Sequence, residues 1–297
     1  MSITYRPGAL EDSFAVYKIF EVTLADFAAR LGMIADQTSG DPEAWDKRRP
    51  LYEHLARTAA HFWIAQDGDR PIGYARSIER DGVLELTEFF VLPEAQSGGV
   101  GRELLARAFP SDGARHRTII ATSDLRAQGR YLRAGVYPRF PIYFLGRAPG
   151  PVSVESDLRI RPIGDDAEAL AALAALDRGV LGHQRDADHR YLLTTRHGYL
   201  YWREGVPVGY GYVGGNNGPF ALLDSADFPA VLAHAEALAH ARGAARTGFE
   251  VGMINAAAVD YLLARGYLLD SFFAFFMSSV PFGRFENYIF TSPPFFM

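Results

Sequence analysis

The chain has 297 residues, 48% hydrophobic and 22% charged, with a formal net charge of -5; this length exceeds what one core usually needs and predicts two domains. The acidic balance argues against a basic, phosphate-tracking face, so no nucleic-acid partner is expected and a small-molecule or peptide partner fits better. Cysteine is absent, which excludes disulfides, thiolate metal ligands and cysteine nucleophiles.

In chain order, Ile3-Thr4-Tyr5-Arg6-Pro7 reads as a strand before a long helical stretch. The first residues show neither the basic cluster nor the apolar run of a secretory signal. Apolar runs such as residues 272–277 are too short to cross a bilayer, so a cytoplasmic chain with no membrane contact is expected. Residues 61–64 and 71–75 flank the turn Asp67-Gly68-Asp69, the composition of a hairpin. The stretch from Val83 to Val91 is rich in β-formers, and residues 102–109 carry Leu104, Leu105 and Ala108 on one helical face. A strand over residues 117–121, a helix with Gly135 just past its end and a closing strand complete the first half.

Residues 147–153, with two prolines and a glycine, read as a linker. Beyond them the pattern repeats. Leu158-Arg159-Ile160-Arg161-Pro162 answers the first strand, and residues 197–200 and 207–211 around Arg203-Glu204-Gly205 answer the hairpin. Ala264-Arg265-Gly266-Tyr267 answers Arg133-Ala134-Gly135-Val136. The expected organisation is a domain over residues 1–148, a linker over 149–155 and a second domain over 156–297, each a mixed α/β unit of about 140 residues.

Between the strand ending at Val91 and the next helix lies Gln96-Ser97-Gly98-Gly99-Val100-Gly101. Glycines there let the backbone approach a ligand and aim its N–H groups inward, and the helix dipole adds positive potential: an anion site. A Walker loop would need Lys-Ser/Thr where Arg102-Glu103 stands. A dinucleotide fingerprint would need a glycine at Leu104, although Asp124, after the next strand, could mimic its ribose-binding acid and keeps a nucleotide-dependent oxidoreductase among the readings.

The run from Val91 through Pro93 to Gln96, Gly99 and Gly101 resembles the signature of the GNAT N-acetyltransferase superfamily, Val-x-Pro followed by Arg/Gln-x-x-Gly-x-Gly/Ala at a helix start. A second superfamily signature, Asn-x-x-Ala-x-x-x-Tyr-x-x-x-Gly-Phe, is matched by Ala127, Tyr131 and Gly135, with Asp124 and Val136 in the outer positions. The resemblance implies an α/β (mixed α+β) fold of two tandem GNAT-like domains, each with a mixed, mostly antiparallel sheet flanked by helices. It implies acetyl-CoA as cosubstrate. Backbone amides from Gln96 through Ser97, Gly98, Gly99 and Val100 to Gly101 would hold its diphosphate, and Phe89, Phe90 and Val91 would pair with its pantetheine arm. Arg102 and Asp124 complete the candidate cofactor-binding set.

Acetyl transfer to an amine needs a base, a donor to the carbonyl oxygen and a donor to the leaving thiolate. Glu85 and Glu88 are the base candidates. They stand three positions apart, so a regular strand would point them to opposite faces; the resemblance favours Glu85. Tyr131 is the acid candidate, because a phenol stays protonated at neutral pH. A backbone N–H near Phe90 or Val91 would polarise the carbonyl. The histidines lack metal-ligand spacing, and no metal is expected.

The second half lacks the loop: Asp224-Ser225-Ala226-Asp227-Phe228 puts carboxylates where a diphosphate would need positive potential, and Leu262 takes the tyrosine position. It is expected to be a degenerate copy. The tail from Phe282 onward, aromatic and proline-rich, is expected to pack against the body. The function expected is an acetyl-CoA-dependent N-acyltransferase acting by direct attack in a ternary complex, on a small-molecule or peptide amine, as a monomer or homodimer. The alternative is a non-catalytic CoA-binding sensor or partner-binding protein.

Overall fold

The computed structural model describes residues 3–30, 32, 42–164 and 166–291. The chain forms two compact units, one of residues 1–119 and 124–136 and one of residues 120–123 and 137–297.

In the first unit β1 (Ile3–Pro7), β2 (Ala59–Asp67), β3 (Arg70–Arg80) and β4 (Val83–Val91) are successive antiparallel neighbours. The strand β5 (His116–Thr122) joins β4 in parallel, over residues 116–119. One face is covered by α1 (Ser13–Arg30) and α2 (Pro42–Thr58): Phe20 sets its ring edge-on to Phe90 at 5.2 Å, and Arg76 donates to the Tyr52 carbonyl at 3.0 Å. The other is covered by α3 (Val100–Ala108), where Ser77 Oγ donates to the Ala108 carbonyl at 2.6 Å. Leu104, Leu105 and Ala108 are buried, as the helical spacing predicts. The short helix α4 (Leu125–Arg133) starts on Asp124, whose carboxylate accepts from the N–H groups of Arg126 and Ala127.

The second unit contains β6 (Tyr137–Arg147), β7 (Arg159–Pro162), β8 (His197–Arg203), β9 (Val206–Val213), β10 (Phe220–Leu222), β11 (Thr247–Gly252), β12 (Leu268–Ser278) and β13 (Tyr288–Phe290). Their order is β12-β6-β11-β13-β10-β9-β8-β7. Every pairing with a described register is antiparallel. Its helices are α5 (Ala167–Val180), α6 (Asp186–Thr195), α7 (Phe228–Ala241) and α8 (Ala256–Ala264). Phe220, Phe228, Phe249, Leu262 and Ile289 anchor its core.

The mixed α/β class and the mostly antiparallel sheet flanked by helices are those the sequence predicts. The two predicted hairpins are β2–β3 and β8–β9. Within the aromatic tail, Phe285 is buried and its ring lies 4.4 Å from that of Phe276; residues 292–297 lie outside the described residues. Among the described residues no helix is long and apolar enough to cross a membrane.

Two pairings are specific to the tertiary structure. The strand β6, which follows α4 in the chain, lies in the second unit between β12 and β11. The short β13 lies between β10 and β11, pairing Ile289 with Phe220 on one side and with Val251 on the other. In the first unit the corresponding strands, β4 and β5, pair with each other directly.

Candidate functional site

The site is built on β4. Opposite it, Arg76 of β3 pairs with Glu88 while Ser77 pairs with Leu86, so Thr87 is an extra residue, a β-bulge. Its hydroxyl donates to the Arg76 carbonyl at 3.0 Å and pins the bulge. This changes the geometry expected for a regular strand. Glu85 opposes Ile78 and Glu88 opposes Arg76, and Ile78 and Arg76 are two positions apart, so both carboxylates point to one face. Both glutamates are buried. Glu88 accepts from Arg76 Nε at 2.6 Å and from Tyr74 Oη at 2.9 Å, and Arg76 Nη2 pairs with it as well. Arg76 is itself fully buried, over the rings of Tyr52 and Phe62. Taking a proton on Glu88 would dismantle a buried ion pair.

The pairing of β4 with β5 ends at Leu86 and Ile119. Beyond it the Leu92 N–H bonds to the Ile72 carbonyl at 2.9 Å. Alternation therefore turns the main-chain groups of Phe90 toward β3 and those of Phe89 and Val91 to the opposite edge. The Val91 carbonyl on that edge accepts from Gln96 Nε2 at 2.9 Å. Of the two main-chain donors named from sequence, the Val91 N–H is thus the one on the open edge.

The loop follows. The Gln96 N–H closes on the Pro93 carbonyl at 3.3 Å, and the N–H groups of Ser97, Gly98, Gly99, Val100 and Gly101 have no acceptor among the described residues. Ser97 and Gly99 have φ of +71° and +88°. Left-handed residues flanking Gly98 gather successive amides into a concave nest, and α3 begins there without a side-chain cap. A Cβ on Gly98 would meet nothing within 4 Å, leaving open space above the nest. At Gly101 the reverse holds: a Cβ would stand 3.0 Å from Phe89 Cζ. Arg102 is exposed beside Gly99. A diphosphate fits this donor set: amides in a nest, a helix dipole and a nearby cation.

Tyr131, on α4, is buried with its ring edge-on to Phe89 at 6.1 Å, and its hydroxyl has no hydrogen-bond partner among the described residues. Burial pushes the phenol up and the Asp124 charge adds to this, against the opposing charge of Arg130. It holds its proton at neutral pH. Asp124 itself is committed: besides capping α4 it pairs with Arg30 at 3.0 Å. Burial pushes its carboxyl up, but the Arg126 N–H and Arg30 outweigh this and hold it below the usual range. A ribose-binding role would have to displace these partners.

Arg130 was not singled out by the sequence motifs. Its guanidinium carbon lies 3.7 Å from the position a Gly101 Cβ would take, so it faces the first turn of α3. The only signal in the sequence is its place one residue before Tyr131.

In the second unit Asp224 caps a 3-10 turn through the Ala226 N–H, and Asp227 pairs with Arg203 at 2.7 Å. Leu262 is fully buried in the core. Asn255 caps α8 as Asp124 caps α4, so Asp and Asn at this signature position do the same local work. The gap between β10 and β11 is filled by β13.

Residues 28–136 match the Acetyltransferase (GNAT) family model. No curated protein matches the chain in sequence. Among solved structures, similar folds are a protein of Pyrococcus horikoshii (TM-score 0.70, 14% identity, 96% of this chain and 92% of that one), a tandem GNAT protein from the clavulanic acid biosynthesis pathway (0.59, 14%, 94% and 99%), and a GCN5-related N-acetyltransferase of Sphaerobacter thermophilus (0.60, 13%, 93% and 95%). The loop at the end of β4, the helix that follows it and the Tyr131 helix all fall within the matched residues, so it is this first-half segment that matches the GNAT acetyltransferase family model, while the likeness to the solved structures, which is one of fold, runs through both units.

Proposed function

We propose that the protein is an acetyl-CoA-dependent N-acetyltransferase whose working site lies in the first unit and whose second unit binds no coenzyme A. The observation that carries this reading is the row of five partnerless amides over residues 97–101, continuous with the open edge of β4. Acetyl-CoA supplies an activated acetyl thioester. The amides of residues 97–101 and Arg102 hold its diphosphate, and the edge groups of Phe89 and Val91 align its pantetheine arm. Glu85 takes the proton from the attacking amine, since Glu88 is held by Arg76 and Tyr74. The Val91 N–H donates to the carbonyl oxygen as negative charge develops there. Tyr131 Oη donates to the departing sulfur; with its proton affinity raised above that of a thiol, it stabilises the thiolate by hydrogen bonding rather than by giving up its proton.

The second unit offers no equivalent, because β13 fills the strand gap and carboxylates occupy the helix start. Tyr131→Phe tests the site. Turnover should fall roughly 10- to 100-fold, the worth of one hydrogen bond to a charged group, with acetyl-CoA affinity nearly unchanged. Unchanged turnover would remove Tyr131 from the chemistry. Tight binding of acetyl-CoA without turnover on any amine would favour the CoA-sensor reading.

A further inference from the structure

Among the arginines around the loop, Arg130 differs in its commitments. Arg30 pairs with Asp124 at 3.0 Å, Arg126 stands 3.7 Å from the same carboxylate, and Arg107 pairs with Glu103 at 2.8 Å. Arg133 donates to the Gly129 carbonyl. Arg130 forms neither an ion pair nor a side-chain hydrogen bond among the described residues, although it is half-buried. A guanidinium taken partly out of water keeps its desolvation cost unless an anion meets it.

Its surroundings show where that anion would be. The guanidinium carbon is 3.7 Å from the Gly101 Cβ position, on the first turn of α3, where the free amides of Val100 and Gly101 emerge. A Cβ on Gly101 would crowd the Phe89 ring at 3.0 Å and stand in ordinary contact with the Arg130 guanidinium, which therefore lies directly against this turn. The charge of Arg130 is also felt at the Tyr131 hydroxyl, against the dominant effect of burial. One cation thus stands against the first turn of α3, without an ion-pair partner among the described residues.

Resting on the cofactor reading above, we propose that Arg130 is a cofactor-binding residue that clamps the diphosphate of acetyl-CoA against the first turn of α3, from the side opposite the loop amides. A planar guanidinium can donate two parallel bonds to phosphate oxygens, so it fixes orientation as well as adding charge. Its effect is on capture of the cofactor.

The test is calorimetric titration of the full chain and its Arg130→Ala and Arg130→Lys variants with coenzyme A and with 3′-dephospho-coenzyme A, alongside their melting temperatures. The expected result is a dissociation constant for coenzyme A raised about 10- to 100-fold in the alanine variant. The lysine variant should lie between, as a point charge without the fork. The melting temperature should stay near that of the wild type, because no protein partner is lost. The same deficit should appear with 3′-dephospho-coenzyme A, which keeps the diphosphate. Unchanged affinity of Arg130→Ala for coenzyme A overturns the proposal, and so does a deficit that vanishes with the dephospho ligand, which would assign the contact to the 3′-phosphate. A wild-type chain that binds neither ligand overturns the cofactor reading, and this inference with it.

Discussion

Gly98→Glu should reduce acetyl-CoA affinity more than about 100-fold while leaving the fold intact, because a carboxylate placed against a diphosphate costs several kcal/mol. Gly98 is the better position for this experiment than its neighbour. The space above it is empty, and its backbone needs no left-handed conformation. At Gly99, by contrast, φ is +88° and any side chain adds about 1–2 kcal/mol of backbone strain. Calorimetry on the wild type should give one site per chain, and on Gly98→Glu none. A variant that binds as the wild type does would place the cofactor elsewhere.

Asp177→Asn should destabilise the second unit by about 3–5 kcal/mol, the usual consequence of breaking a fully buried ion pair. Asp177 is completely buried between Arg185 Nε at 3.1 Å, His189 Nε2 at 2.9 Å and Tyr210 Oη. Burial alone would push its carboxyl up, but the charges of Arg185 and His189 outweigh that and hold it well below the ordinary carboxylate range. A folded-state value below the unfolded one means that the contribution is fully present above the unfolded pKa, near 3.9, and is lost as pH falls through and below it. Denaturant midpoints of wild type and variant should therefore differ most at neutral pH, begin to approach each other below about pH 4, and keep approaching as pH falls towards the lower folded-state value. Curves separated equally at all pH values would show that the Asp177 charge does not contribute.

The sequence carried whatever depends on neighbours along the chain. The β2–β3 and β8–β9 hairpins follow from alternating runs around glycine turns, and the glycine loop is legible as a turn at a helix start. What it left out depends on partners far away in the chain. The Thr87 bulge exists only relative to the register of β3, so the expectation that Glu85 and Glu88 face opposite ways failed for want of one extra residue. The commitment of Glu88 to Arg76 and Tyr74 requires the same register. The position of β6 beside β11, and of β13 in the gap between β10 and β11, are long-range pairings to which no local pattern points. Arg130 was hidden because an arginine on an amphipathic helix reads as a solvated face until Gly101 is seen beside it.

The most direct measurement is thiol release from acetyl-CoA, followed spectroscopically across a panel of primary amines with the wild-type chain and Gly98→Glu in parallel. Amine-dependent release of coenzyme A by the wild type, absent from the variant, is the predicted result. Equal release by both proteins, or no amine-dependent release by a wild type that binds acetyl-CoA, would contradict it.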